Sequence, residues 1–115
     1  MERVAIPVFE SRVSPVLDFC HRMVIVDIKH GRETNRQEVS LENLTLTQRL
    51  EIFAQWGVRK IICAGVSDVM CRFLSGAHIA LISGVAGDIE KIINAYICNH
   101  LDDACFIMPG KKPDR

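Results

Sequence analysis

Apolar residues run from Val4 to Phe9 and again from Met23 to Ile28, broken only by Pro7 and Asp27. A short continuous apolar run is the pattern of a strand covered on both faces. Pro7 has no N–H to give to a ladder, so it fits such a strand only near its end. Between the two runs, residues 10–21 carry turn chemistry in Ser11, Ser14, Pro15 and Asp18 and read as a loop. His30-Gly31 reads as a tight turn. Residues 33–41 are mostly polar, with Val39 and Leu41 apolar, which suits a charged edge strand.

From Thr45 the period changes. Thr45 and Gln48 have capping-box spacing, and Leu46, Leu50, Phe53 and Ala54 share one helical face. Gly57 supplies the left-handed residue that ends a helix. A strand over 58–64 follows, centred on Ile61-Ile62-Cys63. Ser67 is a good N-cap for a second helix, with Gly76 as its stop. Ile79 to Ile82 reads as a short buried strand. Residues 84–88 open a third helix whose face is Ile89, Ile92, Ile93, Tyr96 and Ile97. A tail begins near Asp102. The order is three strands, then helix, strand, helix, strand, helix. Strands alternating with helices imply parallel pairing with right-handed crossovers. The first three strands, joined without helices, form an antiparallel meander. The expected fold is α/β, a mixed five-stranded sheet with helices packed on it, in one domain over residues 1–110 with a polar tail at 111–115.

This topology predicts where chemistry would sit. The loop 10–21 lies at the C-terminal edge of the first strand. Gly65 to Ser67 and Ser83 to Asp88 lie at the same edge if the later strands run parallel to the first. Ligands of open α/β sheets bind at that rim, and helix N-termini there favour anions.

Composition narrows the function. The 115 residues include 14 basic and 14 acidic side chains, a net charge of zero, and 49% are hydrophobic. Nucleic-acid binding carries a basic excess, which is missing, so no nucleic-acid partner is expected. The stretch 73–87 has no Asp, Glu, Lys or Arg, but Ser75, Gly76, His78, Ser83 and Gly84 break it, so no membrane span is expected. Five cysteines, an odd number without a leading signal peptide, read as reduced thiols of a cytoplasmic protein.

Cys20, His21 and Cys63 are the soft-metal donors nearest the rim, with Cys71 one helical turn further on. Iron–sulfur clusters are held by cysteine thiolates and in some centres by histidine. Buried packing thiols are the plainer reading of Cys63, Cys71 and Cys98, because free cysteine is among the most buried residue types. Cys20 and His21, in or beside the loop, stand open between the two roles, as does Cys105 in the tail. His30, His78 and His100 read as turn, strand-start and helix-end residues. Asp18 is placed to brace the first loop. Arg12 can meet an anion at the rim or be solvated, and Gly84-Val85-Ala86-Gly87 can cradle a phosphate or simply enter a helix. Arg12, Gly65, Ser67 and Gly87 are thus the candidate anion or cofactor contacts. No nucleophile–base pair, phosphate-binding loop with its lysine, or paired carboxylates can be placed, so an enzyme is not expected.

Four segments together resemble the dinitrogenase iron-molybdenum cofactor biosynthesis family. They are Val4-Ala5-Ile6-Pro7-Val8, the loop Ser11 to Asp18, Ile62-Cys63-Ala64-Gly65-Val66-Ser67 and Gly84-Val85-Ala86-Gly87-Asp88. The tail Phe106-Ile107-Met108-Pro109-Gly110 is similar to that of some members. The resemblance implies a ribonuclease H-like fold with strand order 3-2-1-4-5 and helices on both faces. It also implies binding and transfer of an iron–sulfur or iron–molybdenum cluster precursor between cofactor-assembly proteins. Asp18-Phe19-Cys20-His21-Arg22 stands where many members have His-Phe-Gly, and Lys111 stands where some have cysteine. Two functions from different classes follow. One is a cluster carrier with Cys20, His21 and Cys63 as ligands, completed by Cys105 or by a second subunit of a homodimer. The other is a small-molecule or nucleotide-binding module that uses the helix N-termini.

Overall fold

The central strand is buried on both faces, and its residues alternate between two separate cores. Val4, Ile6 and Val8 face one, with Val24, Val26 and Ile28 beside them. Ala5 faces the other, with Met23 and Ile25. Alternation of side chains along a strand turns one continuous apolar run into two half-cores. In this computed structural model, which describes residues 2–98, the elements are β1 (Glu2–Phe9), β2 (Arg12–Val13), β3 (Arg22–Lys29), β4 (Arg32–Ser40), α1 (Leu46–Gln55), β5 (Lys60–Ile62), α2 (Asp68–Gly76), β6 (Ala80–Ile82) and α3 (Ile89–Ile97). A 3-10 turn covers Leu17–Phe19.

The strands form one mixed sheet in the order β4-β3-β1-β5-β6, with β2 paired to β1. β1 is antiparallel to β3 and parallel to β5, and β5 is parallel to β6. The five longer strands take the anticipated arrangement. The sheet differs in detail by its sixth strand, β2, which the sequence reads as loop. The turn between β1 and β2 places Glu10 at φ 57, and no Gly or Asn marks it. Phe53 of α1 and Met70 and Leu74 of α2 pack on one face. Ile89, Ile92 and Ile93 of α3 pack on the other. The result is three layers.

Local signals explain the boundaries. Thr45 and Gln48 close the capping box: the Gln48 N–H donates to Thr45 Oγ1 at 3.2 Å and the Thr45 N–H to Gln48 Oε1 at 2.8 Å. Gly57 follows α1 at φ 68. His30 and Gly31, both at positive φ, make the two-residue β3–β4 hairpin whose twist suits paired strands. Pro7 sits beyond the last β1–β5 register pair, Ala5 with Ile61. Its missing N–H therefore costs no ladder bond there, and its carbonyl accepts from the Ser14 N–H at 2.9 Å.

Three expectations shift. β5 is three residues, not seven. The core position in mid-α1 belongs to Arg49, while Ala54 is exposed. At the other end of α2, the left-handed residue is His78 rather than Gly76, so His78 is a turn residue and not a strand start. The edge away from the rim is closed by polar ties. Asp27 binds Arg3, whose guanidinium also donates to the Trp56 carbonyl at 2.5 Å. Lys60 donates to the Tyr96 hydroxyl at 2.7 Å, and that hydroxyl donates to Glu2. No described helix is long and apolar enough to cross a membrane. The expected tail, with His100, Cys105 and Met108-Pro109-Gly110, lies outside the described residues.

Candidate functional site

Three loops meet at the C-terminal edge of β1, β5 and β6, held by backbone bonds. The Leu17 N–H donates to the Gly65 carbonyl, and the Gly65 N–H donates to the Pro15 carbonyl, both at 2.8 Å. The Val13 N–H reaches the Gly87 carbonyl at 3.0 Å and the Ile89 N–H the Ser11 carbonyl at 2.8 Å. Gly65 has no freedom to carry a side chain, since a Cβ would lie 2.8 Å from the Pro15 oxygen. The segment 14–18 is therefore seated against the end of β5 by backbone-to-backbone contact.

Asp18 completes the seat. Its carboxylate accepts from the Ser67 N–H at 2.9 Å and from the Ser67 hydroxyl at 2.5 Å. Ser67 Oγ accepts in turn from the Met70 N–H at 3.1 Å and so caps α2. A carboxylate from the first loop thus fills the positive end of α2, where free N–H groups would otherwise attract an anion. At α3 the same place is taken by Asp88, whose carboxylate accepts from the Glu90 and Lys91 N–H groups. Asp18 is the brace that its position in the loop suggested, and it binds across 49 residues of sequence.

The metal candidates separate by depth. His21 is exposed. Cys20 is 3% exposed and Cys63 is 0% exposed, and both belong to the core beneath α1 and α2. Among the described residues, no three His, Cys, Asp or Glu side chains are grouped to hold a metal ion. Cys20, His21 and Cys63 therefore do not stand as a preformed triad. The physical reason is the seating of the loop, which packs Leu17 and Cys20 inward and leaves His21 outside. Cys63 is held at the end of β5, its N–H donating to Ile82 at 2.8 Å and its carbonyl accepting from Val85 at 3.0 Å. Cys71 is half-buried and Cys98 exposed.

Arg49 is the residue that sequence periodicity missed. Its guanidinium is buried and donates to the Cys20 carbonyl at 2.6 Å, with Cys20 Sγ at 3.6 Å and the Leu44 carbonyl at 3.4 Å. Burial pushes the Cys20 thiol up from its ordinary value, and the Arg49 charge beside it offsets part of that rise. A buried cation beside a thiol favours the thiolate that a soft metal needs. Arg12, on β2, is exposed at the rim, where its backbone bridges to Asp88. Gly87, at φ 137, turns the chain into Asp88. The four anion candidates Arg12, Gly65, Ser67 and Gly87 do share the rim, but Gly65 and Ser67 spend their N–H groups, and Gly87 its carbonyl, on the loops themselves.

Solved structures share this fold. The crystal structure of PH0822 superposes with a TM-score of 0.81 at 24% identity, covering 86% of this chain and 91% of its own. A Methanocaldococcus jannaschii protein provisionally named a dinitrogenase gives 0.73 at 21% identity, over 86% of this chain and 90% of its own. A Thermotoga protein, TM1290, provisionally named a NifB protein of the DUF35 family, gives 0.69 at 22%, over 87% and 90%. The chain shares their fold. No protein-family model matches the sequence, and no curated protein does. At these identities the likeness extends to the architecture and the rim it creates, and the roles of individual residues rest on this chain's own geometry.

Proposed function

We propose that this protein binds and hands on an iron–sulfur or iron–molybdenum type cluster precursor, held as cargo at the rim. The observation that carries the reading is the shared fold over 86% of the chain with a protein provisionally named a dinitrogenase, joined by a neighbour provisionally named NifB. The finer label of a ribonuclease H-like domain in cofactor biosynthesis goes with the same reading. His21 is the ligand in contact with solvent. Cys20, its neighbour, becomes the second when the segment 14–20 lifts from Gly65 and Ser67, with Arg49 stabilising the thiolate. Cys63, at the end of the strand beneath, is a packing thiol while the loop is seated. A carrier must release what it binds, and ligands gated by a loop suit that task better than a closed four-thiolate site. Cofactor-assembly proteins in the cytoplasm are the donors and acceptors, and the role is transport rather than catalysis.

The alternative, an anion- or nucleotide-binding module, loses its main support. The carboxylates of Asp18 and Asp88 already occupy both helix N-termini. Anaerobic loading with iron and sulfide tests the carrier. Stoichiometric metal with visible charge-transfer absorption is expected, reduced in Cys20→Ala and His21→Ala and kept in Cys98→Ala. Failure to bind, or binding indifferent to Cys20 and His21, would sink the assignment.

A further inference from the structure

The rim does not account for the outer stripe of α2. Val69 and Phe73, four residues apart on one face of the helix, are 51% and 49% exposed, while Met70 and Leu74 face the core. Phe19, 77% exposed, is brought to the start of the same helix by the bond between Asp18 and Ser67. Large apolar side chains grouped on one exposed face mark interaction surfaces. The charges beside the stripe indicate what covers it. Asp68 and Arg72 are also four apart and exposed along the outer flank of Val69 and Phe73. Neither appears in an ion pair or a side-chain hydrogen bond among the described residues.

We propose that this stripe is the interface of a twofold homodimer, in which α2 of one copy packs antiparallel against α2 of another. A twofold axis between two antiparallel helices brings the same flank of each together. Val69 then meets Phe73 of the second copy, and Asp68 meets Arg72 of the second copy, once on each side of the axis. The pattern is self-complementary in both apolar surface and charge sign. The dimer leaves the β4 edge free, and its contact residues Asp68, Val69, Arg72 and Phe73 are none of those assigned to the cluster.

Sedimentation equilibrium of the metal-free protein is the test. The wild type is expected to dimerise reversibly in the micromolar range. Phe73→Asp is expected to weaken association at least about 30-fold, the scale of an interface anchor. Asp68→Arg and Arg72→Asp each set like charges opposite one another and should be monomeric alone. An equimolar mixture of the two restores both ion pairs and should recover the dimer. Circular dichroism checks that each variant is folded. A wild type that stays monomeric to millimolar concentration overturns the proposal. So does a dimer that Phe73→Asp leaves intact, or a mixture of folded charge variants that stays monomeric. Metal loading of a monomeric variant separates this result from the carrier reading.

Discussion

Gly65→Ala probes the seat of the first loop directly. The added methyl carbon would sit 2.8 Å from the Pro15 carbonyl oxygen, about half an ångström inside ordinary contact. Relief requires the segment 14–18 to move off the end of β5. That motion stretches the two bonds between Gly65 and the loop, both 2.8 Å long. Each is worth about 1 kcal/mol net, and overpacking adds about 1–3 kcal/mol where the neighbour is backbone. A loss of about 3–5 kcal/mol is expected, at least about 2 kcal/mol of it as easier opening of the loop. A loop destabilised by about 2 kcal/mol opens about 30 times more often. Cys20, shut in by that loop, should then be alkylated by iodoacetamide about 30-fold faster when opening limits the reaction as a pre-equilibrium. Urea unfolding gives the stability, and mass spectrometry of alkylated peptides gives the rate at each cysteine. Gly76→Ala is the control, because nothing lies within 4 Å of a Cβ there. A change under about 0.5 kcal/mol together with an unaltered Cys20 rate would refute the account of a seated loop.

In the wild type, the same alkylation of the four described cysteines should label Cys98 first, Cys71 more slowly, and Cys20 and Cys63 only through opening, since thiol reactivity follows exposure and thiolate character; early labelling of Cys63 would contradict its place in the core. Asp18→Ala removes two bonds to Ser67 and should cost about 1–3 kcal/mol. It also empties the start of α2, so added sulfate should stabilise the variant more than the wild type, and equal sulfate effects in urea melts would argue against Asp18 as a built-in anion. Arg3 holds the Asp27 carboxyl below the usual carboxylate range. Stability from that pair is present in full above the unfolded carboxylate pKa, near about 4, and is lost as pH falls through the lower folded value. Asp27→Asn should therefore be less stable than the wild type at pH 7, by about 2 kcal/mol, and the gap should narrow in urea melts at about pH 3; a gap independent of pH would remove the pair from the account.

Much of the fold was legible because the signals were periodic or local. The uninterrupted run in β1 announced a strand covered on both sides, and two half-cores follow from it by alternation alone. Thr45 with Gln48, and Ser67, marked helix starts with their own side chains, and the segment 84–88 marked the third. The rim followed from strand order. What stayed hidden depended on distant partners. β2 is two residues long and exists because Val8 and Phe9 lie opposite Val13 and Arg12. Arg49 looks polar to any periodicity, yet it is buried because Cys20 and Leu44 offer it carbonyls from outside the helix. Cys20 and Cys63 were both near the rim in sequence terms, but depth below a rim is a packing property. Only the seated loop shows that His21 alone of the three faces water.

The central claim is that cargo is held at the rim and not elsewhere on the molecule. Amide NMR spectra, recorded as a preformed paramagnetic iron–sulfur cluster is added without oxygen, test this most directly. The account predicts broadening confined to the rim, at Arg12, Cys20, His21, Gly65, Ser67 and Gly87, with Glu2, Trp56, Lys60 and Tyr96 at the opposite edge unchanged. Broadening centred on that opposite edge, or no residue-specific broadening at one equivalent of cluster, would contradict it.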